Sequence, residues 1–360
     1  MQGRAYKLAL VFCFLVFIKA TIGAAQTADL SFSRNARTFE TQQASLVSKS
    51  MAFACLSMMI MPDGLPCNPA FTPVRKTATL GIEGLISNGY STLSTMQKIF
   101  SGTIDQDLIN TLTDKEKRVL QIEGNAEIDL MSQYLNARYT PISLKFFSVL
   151  RNEAYPQINL YAVQEESFTA QTGFEFTKGF YAGLQLRSLN RKFITKDFAA
   201  AQLGTDNAKQ LLTPETEQAT YFEPGLAYVY DSPWKPRFSA MLVNFGVQSD
   251  GFKDLIEPAE GQFSLGISAP LKWGNLEFEV DYRSMTYSEP SIVERLHWGA
   301  LYHLGTMYLT GGVDYNGASG GIYYGLEQIN AGIMYSTTQV PWRNEDYYTQ
   351  TVYVQFGWQI

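Results

Sequence analysis

The last fifteen residues of the chain have the pattern that most restricts its fold. From Asp346 to Ile360 the side chains alternate between an apolar and a polar face. The apolar face ends in Val352, Val354, Phe356, Trp358 and Ile360, and the polar face carries Thr349, Thr351, Gln355 and Gln359. This alternation is typical of a transmembrane β-barrel strand, with lipid outside and water inside. A soluble sheet could show the same pattern with its apolar face on a core, so the rest of the chain must decide.

The other end of the chain predicts export. Arg4 and Lys7 precede an apolar run at 8–18, and small residues follow at 23–25. We therefore assign residues 1–25 to a secretory signal peptide, and its apolar run is too short to cross a bilayer as a helix.

Charge and composition exclude several classes of function. Lys+Arg number 28 against 34 Asp+Glu, a formal net charge of −6. This balance disfavours nucleic acid or an anionic surface as the main partner. Aromatic residues at 14% and 28 glycines agree with a barrel whose outer face is apolar while its interior and loops are polar. The best rival for a membrane helix, Met51 to Met61, is better suited to a buried segment.

Alternating segments recur along the chain from residue 76. The clearest are Val119 to Leu130, Asn275 to Arg283 and Arg295 to Leu304. Further candidates lie at 76–88, 137–150, 156–164, 167–177, 180–188, 221–231, 236–247, 260–271, 306–314, 318–324 and 328–337. With the terminal strand the total is about fifteen. Bacterial barrels have an even number of strands, so we predict fourteen, with the error between 137 and 177.

The connections between these segments predict a direction across the membrane. The turns at 231–237, 272–275 and 304–306 are short and rich in Gly, Asn or Pro, as expected on the periplasmic side. Long external loops are predicted at 189–219, 248–259, 284–294 and 338–346.

One insertion, at 91–117, reads as helical. Apolar residues recur there every three or four positions, at Leu93, Met96, Phe100, Ile104, Leu108 and Leu112. Thr103 with Gln106, and Thr113 with Glu116, resemble capping boxes. We expect a helical loop over a barrel mouth, either a structural lid or, through Met96 and Phe100, part of a hydrophobic ligand gate.

Two cysteines remain after the signal peptide. Cys55 and Cys67 are close in sequence, and in an oxidising compartment they are expected to form a disulfide. Neither histidine lies nearby, so we predict no metal site.

Several segments resemble the FadL-type outer-membrane transporter superfamily. Leu65 to Phe71 (LPCNPAF) is similar to its Asn-Pro-Ala motif, and Phe238 to Gly246 (FSAMLVNFG) is similar to a strand of its PorV-like and TraF-like members. The similarity continues through 263–315. It implies a barrel at 76–360 with a hatch, residues 26–75, in its lumen. Phe71 departs from the family pattern, which has a small residue there, and so do the two cysteines.

The resemblance also implies a function. It predicts passive uptake of hydrophobic compounds such as long-chain fatty acids; the alternative is a scaffold or shuttle in secretion, conjugation or surface assembly. The motif would then either anchor the hatch or gate it, through Asn68, Pro69, Ala70 and Phe71. A kink in the wall beside these residues would favour gating. Pro69 restricts Asn68 to extended geometry, and the Asn side chain can bond the local backbone. Met58, Met59 and Met61 must pack against the barrel interior or a lipidic ligand.

The remaining polar residues predict a hydrated, acidic lumen. Inward carboxylates at Glu123, Glu127, Asp129, Glu277, Glu279 and Asp281 favour local ion pairs with Arg283 and Arg295; a cation-selective pore is the alternative.

His297 and His303 have no Gly-x-Ser-x-Gly motif beside them, so we expect no enzyme and no cofactor. The expected partners are outer-membrane lipids, a hydrophobic ligand and, through the C-terminal strand, the barrel assembly machinery.

Overall fold

The computed structural model describes residues 45–114, 119–151, 155–204, 208–248, 259–283, 291–326, 328–342 and 345–360. The predicted signal peptide, Glu116 and most of the loops predicted at 248–259 and 284–294 lie outside these residues. Within the described ranges, no helix is both long and apolar enough to cross a membrane.

Fourteen strands account for most of the described residues. They are β1 (Thr79–Ser87), β2 (Val119–Met131), β3 (Leu135–Arg151), β4 (Gln157–Thr177), β5 (Phe180–Ala199), β6 (Glu215–Val229), β7 (Arg237–Val243, continued by Gly246–Gln248), β8 (Glu260–Leu271), β9 (Gly274–Tyr282), β10 (Leu296–Leu304), β11 (Met307–Val313), β12 (Gly317–Gly325), β13 (Ile329–Trp342) and β14 (Glu345–Gln359).

These strands close into one antiparallel barrel. Each strand pairs with its neighbours in sequence, and β1 pairs with β14, for example Ile82 with Trp358. Closure leaves every wall strand paired on both sides, which a membrane requires because lipid cannot satisfy backbone polar groups. The predicted fold class, a fourteen-stranded transmembrane barrel, is confirmed.

The outward side chains of the wall are apolar. Exposed residues on this face include Ile82, Ile128, Phe174, Leu186, Phe238, Leu265, Trp298, Ile322, Ile333 and Phe356. A continuous apolar exterior on a closed barrel faces lipid hydrocarbon.

The fifteenth strand candidate is an error, and it lies between residues 137 and 177 as predicted. Candidates 156–164 and 167–177 form one strand, β4, because the Glu165-Glu166 pair does not turn the chain. Glu165 points inward to Arg191 (2.6 Å), whereas Glu166 points outward and accepts a hydrogen bond from Tyr139 (2.6 Å). Two adjacent carboxylates thus lie on opposite faces of one strand.

Two predicted loops are mostly strand. Within 189–219, β5 continues to Ala199 and β6 begins at Glu215, and the described residues between them include a 3₁₀ turn (Ala200–Gly204) and a short helix. Within 338–346, β13 extends to Trp342 and β14 begins at Glu345. Long strands therefore project past the lipid band on the outer side.

The insertion after β1 forms helices α2 (Leu93–Phe100) and α3 (Gln106–Leu112), and α1 is the earlier helix Leu46–Ser50. α4 is the short helix Ala208–Leu211 between β5 and β6. The predicted Thr103–Gln106 capping box is wrong, because Asp105 is the N-cap of α3 and accepts from the Leu108 amide (2.8 Å). The two helices pack on the outer ends of β2 to β5, around Phe146, Leu160 and Ile194.

Candidate functional site

Residues 45–75, here called the plug, lie among inward side chains of the wall. The plug comprises α1, an extended turn region and a 3₁₀ helix, Pro69–Val74. The structure joins its Cys55 and Cys67 by a disulfide. The wall contacts fall on separate arcs of the barrel and differ in chemistry.

On the first arc, formed by β8 to β10, polar side chains bond the backbone of the plug. Asp281 accepts from the amides of Cys55 (3.0 Å) and Leu56 (3.1 Å), and Glu279 accepts from the amide of Ser57 (3.2 Å). On the same arc, His297 Nδ1 lies 2.8 Å from the carbonyl of Ala52. Ala52 and Phe53 have φ of 51° and 64°, a backbone conformation that is costly for residues other than glycine and persists only where the surroundings hold it. The hydrogen bonds to this part of the plug hold the backbone in that conformation.

The second arc, formed by β4 to β6, meets the plug through glycine. Gly173, Gly183 and Gly225 are directly paired across the three strands, and we call them the glycine row. A Cβ at Gly183 would lie 2.3 Å from the carbonyl carbon of Pro69, and one at Gly173 would lie 2.6 Å from its oxygen. The absence of side chains here lets the plug backbone lie directly on the wall.

Asn68 ties this part of the plug to β6 and β7. Its Oδ1 accepts from the Ala70 amide (3.0 Å) and caps the 3₁₀ helix, while its Nδ2 donates to the carbonyl of Leu226 (3.2 Å). The side chain is fully buried. Asn68 therefore fixes both the turn and its position on the wall.

The wall is irregular immediately above Asn68. Residues 225–229 of β6 pair with 241–237, and 219–221 pair with 248–246, but the intervening residues break the register. Pro224 has no amide hydrogen to donate, and Asn244 has a φ of 57°. We call this irregularity the seam. Glu223 accepts from the Asn244 amide (2.9 Å), and Arg187 donates to Asn244 Oδ1 (2.6 Å).

The plug surface below the seam is apolar. Ala70 and Phe71 are buried against Ala227, with Met59, Val74, Tyr181 and Val229 packed around them. The rings of Phe71 and Tyr181 have centroids 5.9 Å apart. An apolar strip thus runs from Asn68 past Phe71 toward Tyr181 and Val229.

A small cavity lies above this strip. Its volume is about 100 Å³, and its lining combines apolar residues (Leu56, Leu65, Pro66, Met241 and Val243) with charged ones (Arg138, Arg187, Glu223 and Arg283). Binding sites for drug-sized ligands are about 300–1,000 Å³. A larger molecule can enter only if the plug moves.

The third arc, near β1 to β3, contains buried charges. The carboxylates of Glu83, Glu127 and Asp129 lie close enough together to hold a metal ion. Arg138 supplies a positive charge there, with its Nη atoms 2.6 Å from Asp129 and 2.8 Å from Glu127. The cluster is therefore satisfied as an ion-pair network.

Asp63 of the plug is fully buried, and its Oδ2 accepts from the Val47 amide (2.7 Å). Burial raises the pKa of Asp63 to about 6. The charge of the plug therefore changes in mildly acidic solution.

The structure places the predicted site residues in three separate groups. Asn68 to Phe71 and Met59 share the apolar strip. Met58, Met61, Cys55 and Cys67 pack with the wall residues Leu85, Leu301 and Met334, so the wall buries two of the three methionines. Met96 and Phe100 belong to the outer helical cluster, away from the plug.

The predicted lumen chemistry is partly wrong. Glu279 and Asp281 are fully buried beneath the plug and not hydrated. Arg283 lies 3.8 Å from Asp281, as expected of an ion pair, and Arg295 lies 3.4 Å from the hydroxyl of Tyr282. The glycine row was missed, although inward-facing glycines in paired strands are a readable signal of close backbone approach.

An apolar closed wall around a plug defines an outer-membrane β-barrel. No protein-family model matches the sequence, and no curated protein does. Among solved structures, the chain is similar to the CymD monoaromatic hydrocarbon channel, at TM-score 0.48 and 10% identity, over 87% of this chain and 96% of that one. It is also similar to the Pseudomonas putida toluene transporter TodX, at TM-score 0.41 and 9% identity, over 81% and 91%. A third similar structure is outer membrane phospholipase A from Escherichia coli, at TM-score 0.30 and 14% identity, over 55% of this chain and 78% of that one. At these values the likeness by itself assigns neither a family nor a substrate.

Proposed function

We propose that this barrel is a channel for small hydrophobic compounds, with the plug as its closed gate. The observation that carries the proposal is the contrast between two sides of the plug. On β9 two carboxylates accept hydrogen bonds from the backbone amides of the plug, whereas below the seam the plug meets the wall through Phe71, Met59 and Val229.

This contrast selects both a route and a class of solute. Separating an apolar interface exposes apolar surface, at a cost of roughly 25 cal/mol per Å². A hydrophobic solute that fills the gap removes much of this cost, while an ion or sugar does not. The route begins in the cavity beside Leu65 and Met241 and passes Phe71 toward the periplasm.

The size of the cavity bears on the substrate. At about 100 Å³ it is smaller than the 150 Å³ engineered cavity that binds benzene. A long-chain fatty acid therefore requires a larger movement of the plug than a compound with one ring. We favour the smaller class of solute.

Substitution of the apolar seal tests this function. Phe71→Ala removes a buried ring from the strip, and Phe146→Ala removes an equally buried ring from the outer helical cluster, away from the plug. Uptake of radiolabelled toluene, oleate and a sugar is measured in cells whose outer membrane carries each variant. We expect Phe71→Ala to accelerate toluene uptake selectively and Phe146→Ala to leave it near the wild-type rate. Equal uptake by the wild type and by cells without the protein contradicts a channel.

The second candidate is a scaffold that transports nothing. The disulfide and the hydrogen bonds from Asp281, Glu279 and His297 favour it, because they make the plug a fixed part of the barrel. If the scaffold is correct, none of the three solutes enters faster with any variant, and the purified barrel retains a protein partner instead.

A further inference from the structure

The outer surface of the barrel has a groove that the proposed channel does not use. Its volume is about 550 Å³, and it crosses β3 to β7 on the lipid side of the wall. The floor follows one line of paired residues, Tyr139, Phe168, Ser188, Thr220 and Val247. We call this feature the outer groove.

The groove exists because its floor changes in side-chain size. Ser188 and Thr220 are small, whereas Phe168 (44% exposed) and Val247 (73% exposed) project on either side of them. Two short side chains between larger ones leave a trough in an otherwise filled lipid-facing surface.

Four successive rows of outward side chains follow one another on this part of the wall in order of increasing polarity, and the second and third rows line the groove. The lowest is apolar, with Ala170, Leu186 and Phe222, and the second is the groove floor. The third carries Glu166, Asn190 and Gln218, and the fourth carries Lys192 between Gln164 and Thr216. In the third row, Glu166 accepts a hydrogen bond from the Tyr139 hydroxyl (2.6 Å).

The spacing of these rows matches the edge of a bilayer. Six residues from Leu186 to Lys192 rise about 20 Å along a strand, and a tilt of about 45° reduces this to roughly 14 Å along the membrane normal. This height covers the upper hydrocarbon region and the headgroup layer. Because β5 ends here in an outer connection, the groove faces the outer leaflet.

We propose that the outer groove is a specific binding site for one phosphorylated glycolipid of the outer leaflet. An acyl chain lies over Ser188 and Thr220, between Phe168 and Val247. The amides of Asn190 and Gln218 bond carbonyl and hydroxyl groups of the sugar. Lys192 pairs with the phosphate, and an exposed Lys near a membrane surface is worth about 1 kcal/mol of such attraction.

The test fills the groove without altering the barrel interior. Ser188→Trp places a large ring on the groove floor, and Ala318→Trp is the matched control, since Ala318 is also small, outward and exposed, on the upper part of β12. Each full-length protein is purified from outer membranes, and native mass spectrometry counts retained lipid. The same proteins are titrated with purified rough lipopolysaccharide and, separately, with phosphatidylethanolamine.

We expect the wild type and Ala318→Trp to retain one lipopolysaccharide and Ser188→Trp to lose it. Lys192→Gln should weaken lipopolysaccharide binding about fivefold. Equal retention by Ser188→Trp overturns the proposal, and so does equal binding of phosphatidylethanolamine by the wild type. A hydrophobic compound found in the groove in place of the glycolipid also overturns it.

Discussion

Adding one methyl group at Gly183 should release the plug from the wall. The new Cβ would lie 2.3 Å from the carbonyl carbon of Pro69 and 2.4 Å from the amide nitrogen of Ala70. Both are backbone atoms, so no side-chain rotation relieves the clash. Ordinary contact begins near 3.4 Å, and the plug must therefore move by about 1 Å.

The size of the effect follows from this overlap. Overpacking of this kind costs about 1–3 kcal/mol, which changes the ratio of docked to released plug by about 5- to 150-fold. The barrel itself should keep its stability, because Gly183 does not have the positive φ that would strain an alanine. We expect the change to appear at Ala70 and Phe71, whose amides are bonded to Asn68.

Hydrogen exchange followed by mass spectrometry measures this release directly. Gly81→Ala is the matched control, since Gly81 is also an inward-facing wall glycine but a Cβ there meets nothing nearer than 3.8 Å. Exchange over residues 68–74 should accelerate in Gly183→Ala and remain unchanged in Gly81→Ala. Equal exchange in the two variants would refute the view that the glycine row holds the plug closed.

Two further predictions concern the plug interior. Replacing both Cys55 and Cys67 by Ser should destabilise the plug by roughly 3 kcal/mol, the expected effect of opening a loop of about this length, and exchange across 45–75 should report it while the barrel strands stay protected. Burial raises the pKa of Asp63 from 3.8 to about 6, so docking of the plug favours the protonated carboxyl. The stability of the docked plug therefore falls by about 3 kcal/mol as the pH rises from about 4 to 6. Asp63→Asn should remove this loss, measured as the change in the protection factors of plug amides between pH 4 and pH 7, each referred to the intrinsic exchange rate at the same pH; a change in protection as large in the variant as in the wild type would contradict it.

The sequence predicts the barrel well because lipid imposes a simple rule on each strand. Where one face of a strand meets lipid and the other meets the lumen, as in β14, the alternation of apolar and polar residues predicts both the strand and which side chains point outward. The rule fails above the lipid band, where Ile194 and Phe198 of β5 pack on the outer helices. There the alternation disappears and the strand resembles a loop.

The site is less predictable because it depends on contacts between distant segments. The sequence motif identifies Asn68 and Pro69, but their partners in the glycine row are more than a hundred residues away. Asp281 looks like any inward carboxylate in the sequence, although it accepts two plug amides. No local pattern distinguishes a carboxylate that bonds backbone from one that meets water.

The attachment of α1 to the final strand has a consequence for biogenesis. The amide of Leu46, near the start of the plug, donates to Gln355 on β14, 309 residues later (3.1 Å). This contact cannot form until the last strand has been synthesised and has paired with β1. Contacts of such high sequence separation form late in folding, so the lumen is closed only when assembly is nearly complete. A chain truncated before β14 would therefore leave an unsealed pore as well as an open wall edge, and quality control that senses leakage would detect both faults at once.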